Sequence, residues 1–154
     1  IDLEEWDNNS ILLGTGWFIC WIVFGILTLY LHNILLPYIF LFFAIFVYLT
    51  HLYIDCTRCY YFGKPCYLLG GIFSQKIFKP RHQGPIDAED SFSEALWFIL
   101  GVFPVPFLIY YQDWLLLIIY AALTVGWFAW RKRNICLNCK NSWCPLHPAG
   151  TKTG

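Results

Sequence analysis

The chain has 154 residues, 58% hydrophobic, 21% aromatic and only 13% charged, with ten basic residues balancing ten acidic ones. That composition excludes a disordered chain, which needs high charge and few aromatics, and it lacks the basic surplus that a nucleic-acid binder requires. So much apolar side chain exceeds what a soluble core of this length can absorb, so lipid is the expected solvent for most of the chain.

Residues 1–10 carry four acids and no base, the opposite of a signal peptide's opening. The chain begins at Ile1 and holds no Met, which leads one to expect a processed start or a longer gene product. The first apolar run, residues 11–31, contains no charge and is long enough to cross a hydrocarbon core of about 30 Å. Gly16 with Cys20 reads as a close-approach face of small residues, with Cys20 as a packing residue. His32-Asn33 makes a tight turn. The second span covers residues 35–54, with Pro37 near its first turn, where a missing N–H costs little.

Directly after this span come Cys56, Cys59 and Cys66, spaced C-x2-C-x6-C. A C-x2-C turn aims two thiolates at one point while intervening amides can donate to the sulfurs, which suits zinc or a corner of an iron–sulfur cluster. His51 stands just before the triplet and is a candidate fourth ligand. Residues 67–78 are apolar, interrupted by Ser74-Gln75 and Lys76. They read as a short interfacial helix broken early by Gly70-Gly71, with Lys76, Lys79 and Arg81 facing anionic headgroups, or equally as a docking surface for a partner subunit. Asp87, Glu89, Asp90 and Glu94 read as a solvated face and as favourable charge at a helix start.

The third span covers residues 95–111, with its start set by the capping-box spacing of Ser91 and Glu94. Pro104 and Pro106 should kink it or break it into a helix and an extended segment. Gln112-Asp113 makes a second tight turn. The fourth span, residues 114–130, carries Ala122 and Gly126 as another small-residue face and stops at Arg131-Lys132-Arg133.

A second triplet follows, Cys136, Cys139 and Cys144, spaced C-x2-C-x4-C, with His147 three residues beyond it. His147 would complete a Cys3His zinc site. The first triplet resembles one half of the binuclear zinc cluster of fungal transcription factors, and residues 136–144 look like a shortened second half. That likeness implies six pooled thiolates around two metals. It implies nothing about DNA, because two predicted spans separate the halves. Cys144-Pro145 resembles the Cys-Pro pairing of ferredoxin runs, which keeps a [4Fe–4S] cluster on three cysteines as an alternative. In a reducing compartment the disulfide reading is the weaker one.

Four spans place the N-terminus, the loop 55–94 and the tail 131–154 on one side, together with all ten basic residues and nine of the ten acids. Asp113 alone is charged on the far side. The positive-inside rule therefore puts both termini in the cytoplasm, and Tyr30, Tyr38, Tyr110, Tyr111 and Trp114 form an outer aromatic belt. The expected protein is all-α: an integral four-helix bundle of the cell or inner membrane with a small cytoplasmic, metal-stabilised loop and tail. Arg58, Lys64, Arg131, Lys132, Arg133 and Lys140 surround the clusters and would offset their anionic charge, while Arg131–Arg133 also anchors the topology.

The spans carry no Asp, Glu, Lys or Arg, which disfavours a pump or transporter. His32 and His51 lie at opposite ends of their spans, so a haem pair is also disfavoured. No phosphate loop, nucleophile elbow or His-Glu-x-x-His motif occurs, and the carboxylates lack a desolvating setting for catalysis. The expected function is that of an accessory or structural subunit of a membrane complex, bound to lipid and other membrane subunits and holding zinc. The alternatives are an iron–sulfur electron-transfer subunit and a thiol-redox or soft-metal handling protein.

Overall fold

A computed structural model describes residues 8–66, 68–81 and 88–136. Helix α1 runs Asn8–Tyr30, α2 Leu36–His51, α3 Gly70–Ile77, α4 Ala88–Val102, α5 Val105–Tyr110 and α6 Trp114–Trp130. Two π-helical turns, Leu52–Cys56 and Arg131–Ile135, prolong α2 and α6. Among the described residues every regular element is helical, and four helical stretches are long and apolar enough to cross a membrane. Those stretches are Asn8–Tyr30, Leu36–Cys56, Ser91–Tyr110 and Trp114–Asn134.

Local chemistry explains the breaks. Pro37 sits in the first turn of α2, and Asn33 Oδ1 accepts the Leu35 N–H at 2.8 Å to hold the preceding turn. Pro104 and Pro106 do interrupt the third span, but both halves are helical: α4 ends at Val102, and Pro104 caps α5 with Pro106 in its first turn. The second proline is tolerated because its missing N–H falls where a helix start has no acceptor for it.

The third span departs from expectation at its start. Helix α4 is already formed at Ala88, so Ser91 lies inside the helix and Glu94 does not close a capping box. Both Ser93 and Glu94 turn instead toward the ends of neighbouring helices. Their intramolecular partners favour helix where the sequence suggested a solvated acidic approach.

Helix α1 packs on α2 and α6, α2 on α4, and α5 on α6, so the spans close a ring. The Phe18 ring is met by Tyr48 of α2 at 6.3 Å, Trp97 of α4 at 5.6 Å and Trp127 of α6 at 6.3 Å. Trp21, Leu29, Phe40, Leu100, Leu108 and Tyr120 are wholly buried within the ring. Trp21 Nε1 donates to Thr124 Oγ1 at 3.0 Å, satisfying an indole that would otherwise be costly in an apolar interior. Gly25 lets Phe40 approach α1: a methyl there would lie 2.9 Å from the ring. Gly126 plays the same part for Trp17. Gly16 and Cys20 do not form the expected close-approach face within this chain. Both are exposed, because the packed side of α1 is set by Gly14, Trp21, Gly25 and Thr28.

The outward surface is apolar. Leu12, Phe42, Leu115, Ile118 and Val125 are each more than 60% exposed. Water would not tolerate a surface this extensively apolar, whereas lipid does. At one end of the ring the two hairpins meet. The His32 and Tyr111 rings stack at 4.3 Å with 5° between planes, and His32 Nε2 lies 2.7 Å from Asp113 Oδ2. At the other end buried Tyr61 packs against Ile11 and Trp130, drawing the cysteine loop onto α1 and α6.

Candidate functional site

Both cysteine triplets are entered through a π turn. In the first, the widened turn leaves carbonyls that side chains satisfy: Ser74 Oγ donates to Leu52 O at 3.1 Å and Thr57 Oγ1 to Tyr53 O. In the second, Asn134 Nδ2 donates to Trp130 O at 3.1 Å.

Cys56 ends the first π turn and is buried. From it the backbone folds through a run of tight turns, Cys59 N to Cys56 O, Phe62 N to Cys59 O and Lys64 N to Tyr61 O. Gly63, at φ +78°, permits the reversal. The loop then returns under itself, with Gly63 N bonded to Gly71 O at 3.0 Å. Gly70 and Gly71 therefore do not break the helix early, as expected. They begin α3, because only glycine fits there: a methyl on Gly70 would lie 2.8 Å from Cys56 Sγ and 3.9 Å from Cys66 Sγ.

Two backbone amides point at sulfur. Gly71 N donates to Cys66 Sγ at 3.4 Å and Tyr61 N to Cys59 Sγ at 3.5 Å. Cys56 lies within electrostatic reach of both Cys59 and Cys66. Among the described residues no three His, Cys, Asp or Glu side chains converge closely enough to hold a metal ion in place. Cys56 and Cys66 lie beside Gly70, and Cys20, Cys56, Cys66 and Cys136 are free thiols.

Cys136 follows the second π turn and is also buried, and burial pushes its thiol above the ordinary range while the neighbouring Arg131 pulls it back. Its other charged neighbours are Glu94 and Lys132. Cys139, Cys144 and His147 lie outside the described residues.

His51 is engaged by a carboxylate and a ring. Its Nδ1 lies 2.6 Å from Asp55 Oδ2, and its ring meets Trp97 edge-on at 5.6 Å. Ser93 Oγ donates to the same Asp55 oxygen. This His51–Asp55–Ser93 network joins the end of α2 to α4, and residue types alone did not announce it. The signal was present in the spacing, since Asp55 stands four residues after His51 on one helix face. Arg131, expected as a topological anchor and a charge-offsetting base, is buried and reaches Glu94 Oε1 at 2.8 Å. Of the expected charge-offsetting bases, Arg58 lies 3.9 Å from Glu89, and Lys64 sits 4.7 Å over the Tyr60 ring.

Comparison with known protein families, curated proteins and solved structures found no match. The chemistry of the site must therefore be argued from its own residues.

Proposed function

We propose that this chain is a small multi-pass membrane protein with a cysteine-ligated metal site on the cytoplasmic face, zinc being the favoured metal. It would serve as an accessory or structural subunit of a larger membrane complex. The observation that supports the reading is the placement of Cys56 and Cys66 beside Gly70 in the C-x2-C-x6-C loop, with backbone amides donating to the sulfurs of Cys59 and Cys66. A loop that needs glycine at position 70 to seat Cys56 and Cys66 beside it suits holding a soft cation better than packing.

Bound zinc would supply structural energy, on the order of 10 kcal/mol in small zinc folds, rather than a reaction. Cys56, Cys59 and Cys66 would hold it from the end of α2. Cys136, Cys139, Cys144 and His147 would form a second group after α6. His51, already turned to Asp55, is the weakest of the candidate ligands. The clustering of Lys and Arg supports a cytoplasmic placement of both groups by the positive-inside rule.

Metal analysis and the visible spectrum of the purified protein test the assignment. Zinc without visible absorption is the expected result. A brown protein bleached by dithionite would replace zinc with an iron–sulfur centre and point to electron transfer. Metal-free protein with freely titrating thiols would point to thiol redox or metal handling. Gentle solubilisation followed by native mass measurement tests the subunit reading: a stable hetero-complex is expected, and a monomer alone would overturn it.

A further inference from the structure

The surface where α2 meets α3 combines three features that together describe a lipid headgroup site. Phe42, Phe46, Leu49 and Tyr53 follow one another at helical spacing and are all exposed, forming one stripe down α2 into its π turn. The stripe continues beyond the helix. Phe78 meets the Tyr53 ring edge-on at 5.4 Å, and Phe73 and Ile77, one turn apart on α3, are 43% and 55% exposed. Cations gather where the stripe ends. The Arg81 guanidinium lies 5.1 Å over the Tyr53 ring, and Lys76 and Lys79 are exposed on and just after α3.

We infer that this junction binds an anionic phospholipid, the phosphate contacted by Lys76 and Lys79 and the upper acyl chain lying along Phe73, Ile77 and Tyr53. Lipid is the occupant because the apolar patch is continuous with the membrane-facing stripe of α2 and changes to basic side chains at its end. A bilayer makes the same change from acyl chain to charged headgroup. The nearby acid Glu89 is turned to Arg81 at 3.0 Å, which holds that guanidinium in place over Tyr53 and leaves the two lysines as the facing charge. The site is independent of any metal, since none of these residues is a candidate ligand.

Native mass spectrometry of the full chain, released from an equal mixture of phosphatidylglycerol and phosphatidylcholine, reads the preference directly. Retention of phosphatidylglycerol over phosphatidylcholine is expected, with a loss of roughly fivefold per lysine neutralised in Lys76→Gln and Lys79→Gln. The double variant should keep the thermal stability of the parent, because both side chains are exposed. Phe73→Gln with Ile77→Gln should also weaken retention without changing charge. Equal retention of the two lipids, or a preference unchanged in the lysine double variant, would overturn the inference. Displacement of phosphatidylglycerol by millimolar inorganic phosphate would overturn it too, in favour of a soluble-anion site.

Discussion

Arg131, the residue that follows α6, holds Glu94 of α4 at 2.8 Å with side-chain exposures of 7% and 22%. A charge pair this sheltered is costly to break from one side, because the remaining charge is left without a counter-ion. Arg131→Leu should cost about 3–5 kcal/mol of stability. Arg131→Leu combined with Glu94→Leu should recover most of that loss. Denaturant unfolding in micelles measures both, and a single-variant loss below about 1 kcal/mol would show that the pair is effectively solvated.

Gly71→Ala tests the packing of the cysteine loop. The added methyl would collide with the Tyr61 carbonyl oxygen and lie 2.5 Å from that of Lys64, both backbone atoms that cannot swing aside. A loss of at least about 1–3 kcal/mol is expected, together with loss of bound metal. Gly16→Ala, whose methyl would meet nothing within 4 Å, is the control and should be neutral. Thermal unfolding and metal content of the two variants decide the matter.

Cys59→Ser and Cys136→Ser test whether the two cysteine groups act as one knot. Arg131 neighbours both Cys136 and Cys56, but the thiols grouped with Cys56 are Cys59 and Cys66. Additive losses of metal and stability are therefore expected, each variant emptying its own site. A strongly non-additive double variant would establish shared coordination.

At the opposite end, Asp113→Asn should have little effect. Asp113 is 42% exposed, so its contact with His32 is screened and is worth at most about 1 kcal/mol. His32→Ala should cost more than Asp113→Asn, since it also removes the stacked contact with Tyr111. Denaturant unfolding of the two variants in micelles measures the difference, and equal losses would show that the stacked Tyr111 contact contributes nothing.

Much of the architecture was legible from apolar run length and turn chemistry. The fourth span begins at Trp114 and gives up α-helical geometry after Trp130, and Pro37 opens α2, as read from the chain. These features are local: a charge-free run of sufficient length, or a ring that fixes one dihedral, acts without regard to the rest of the fold. The start of α4 was misread because Ser91 and Glu94 have the right spacing for a cap, and spacing does not reveal that a neighbouring arginine competes for the carboxylate.

What the sequence determined by itself is the number of apolar helices, their turns and the two cysteine triplets, because each follows from a contiguous pattern. Only the tertiary structure decided which polar groups are buried and with whom. His51 goes to Asp55 and Ser93, Arg131 goes to Glu94, and Gly70 goes beneath Cys56 and Cys66. Those pairings depend on helix ends brought together from opposite halves of the chain and on π turns that re-aim them. Their energy comes from desolvation, which exists only once neighbouring helices have excluded the solvent.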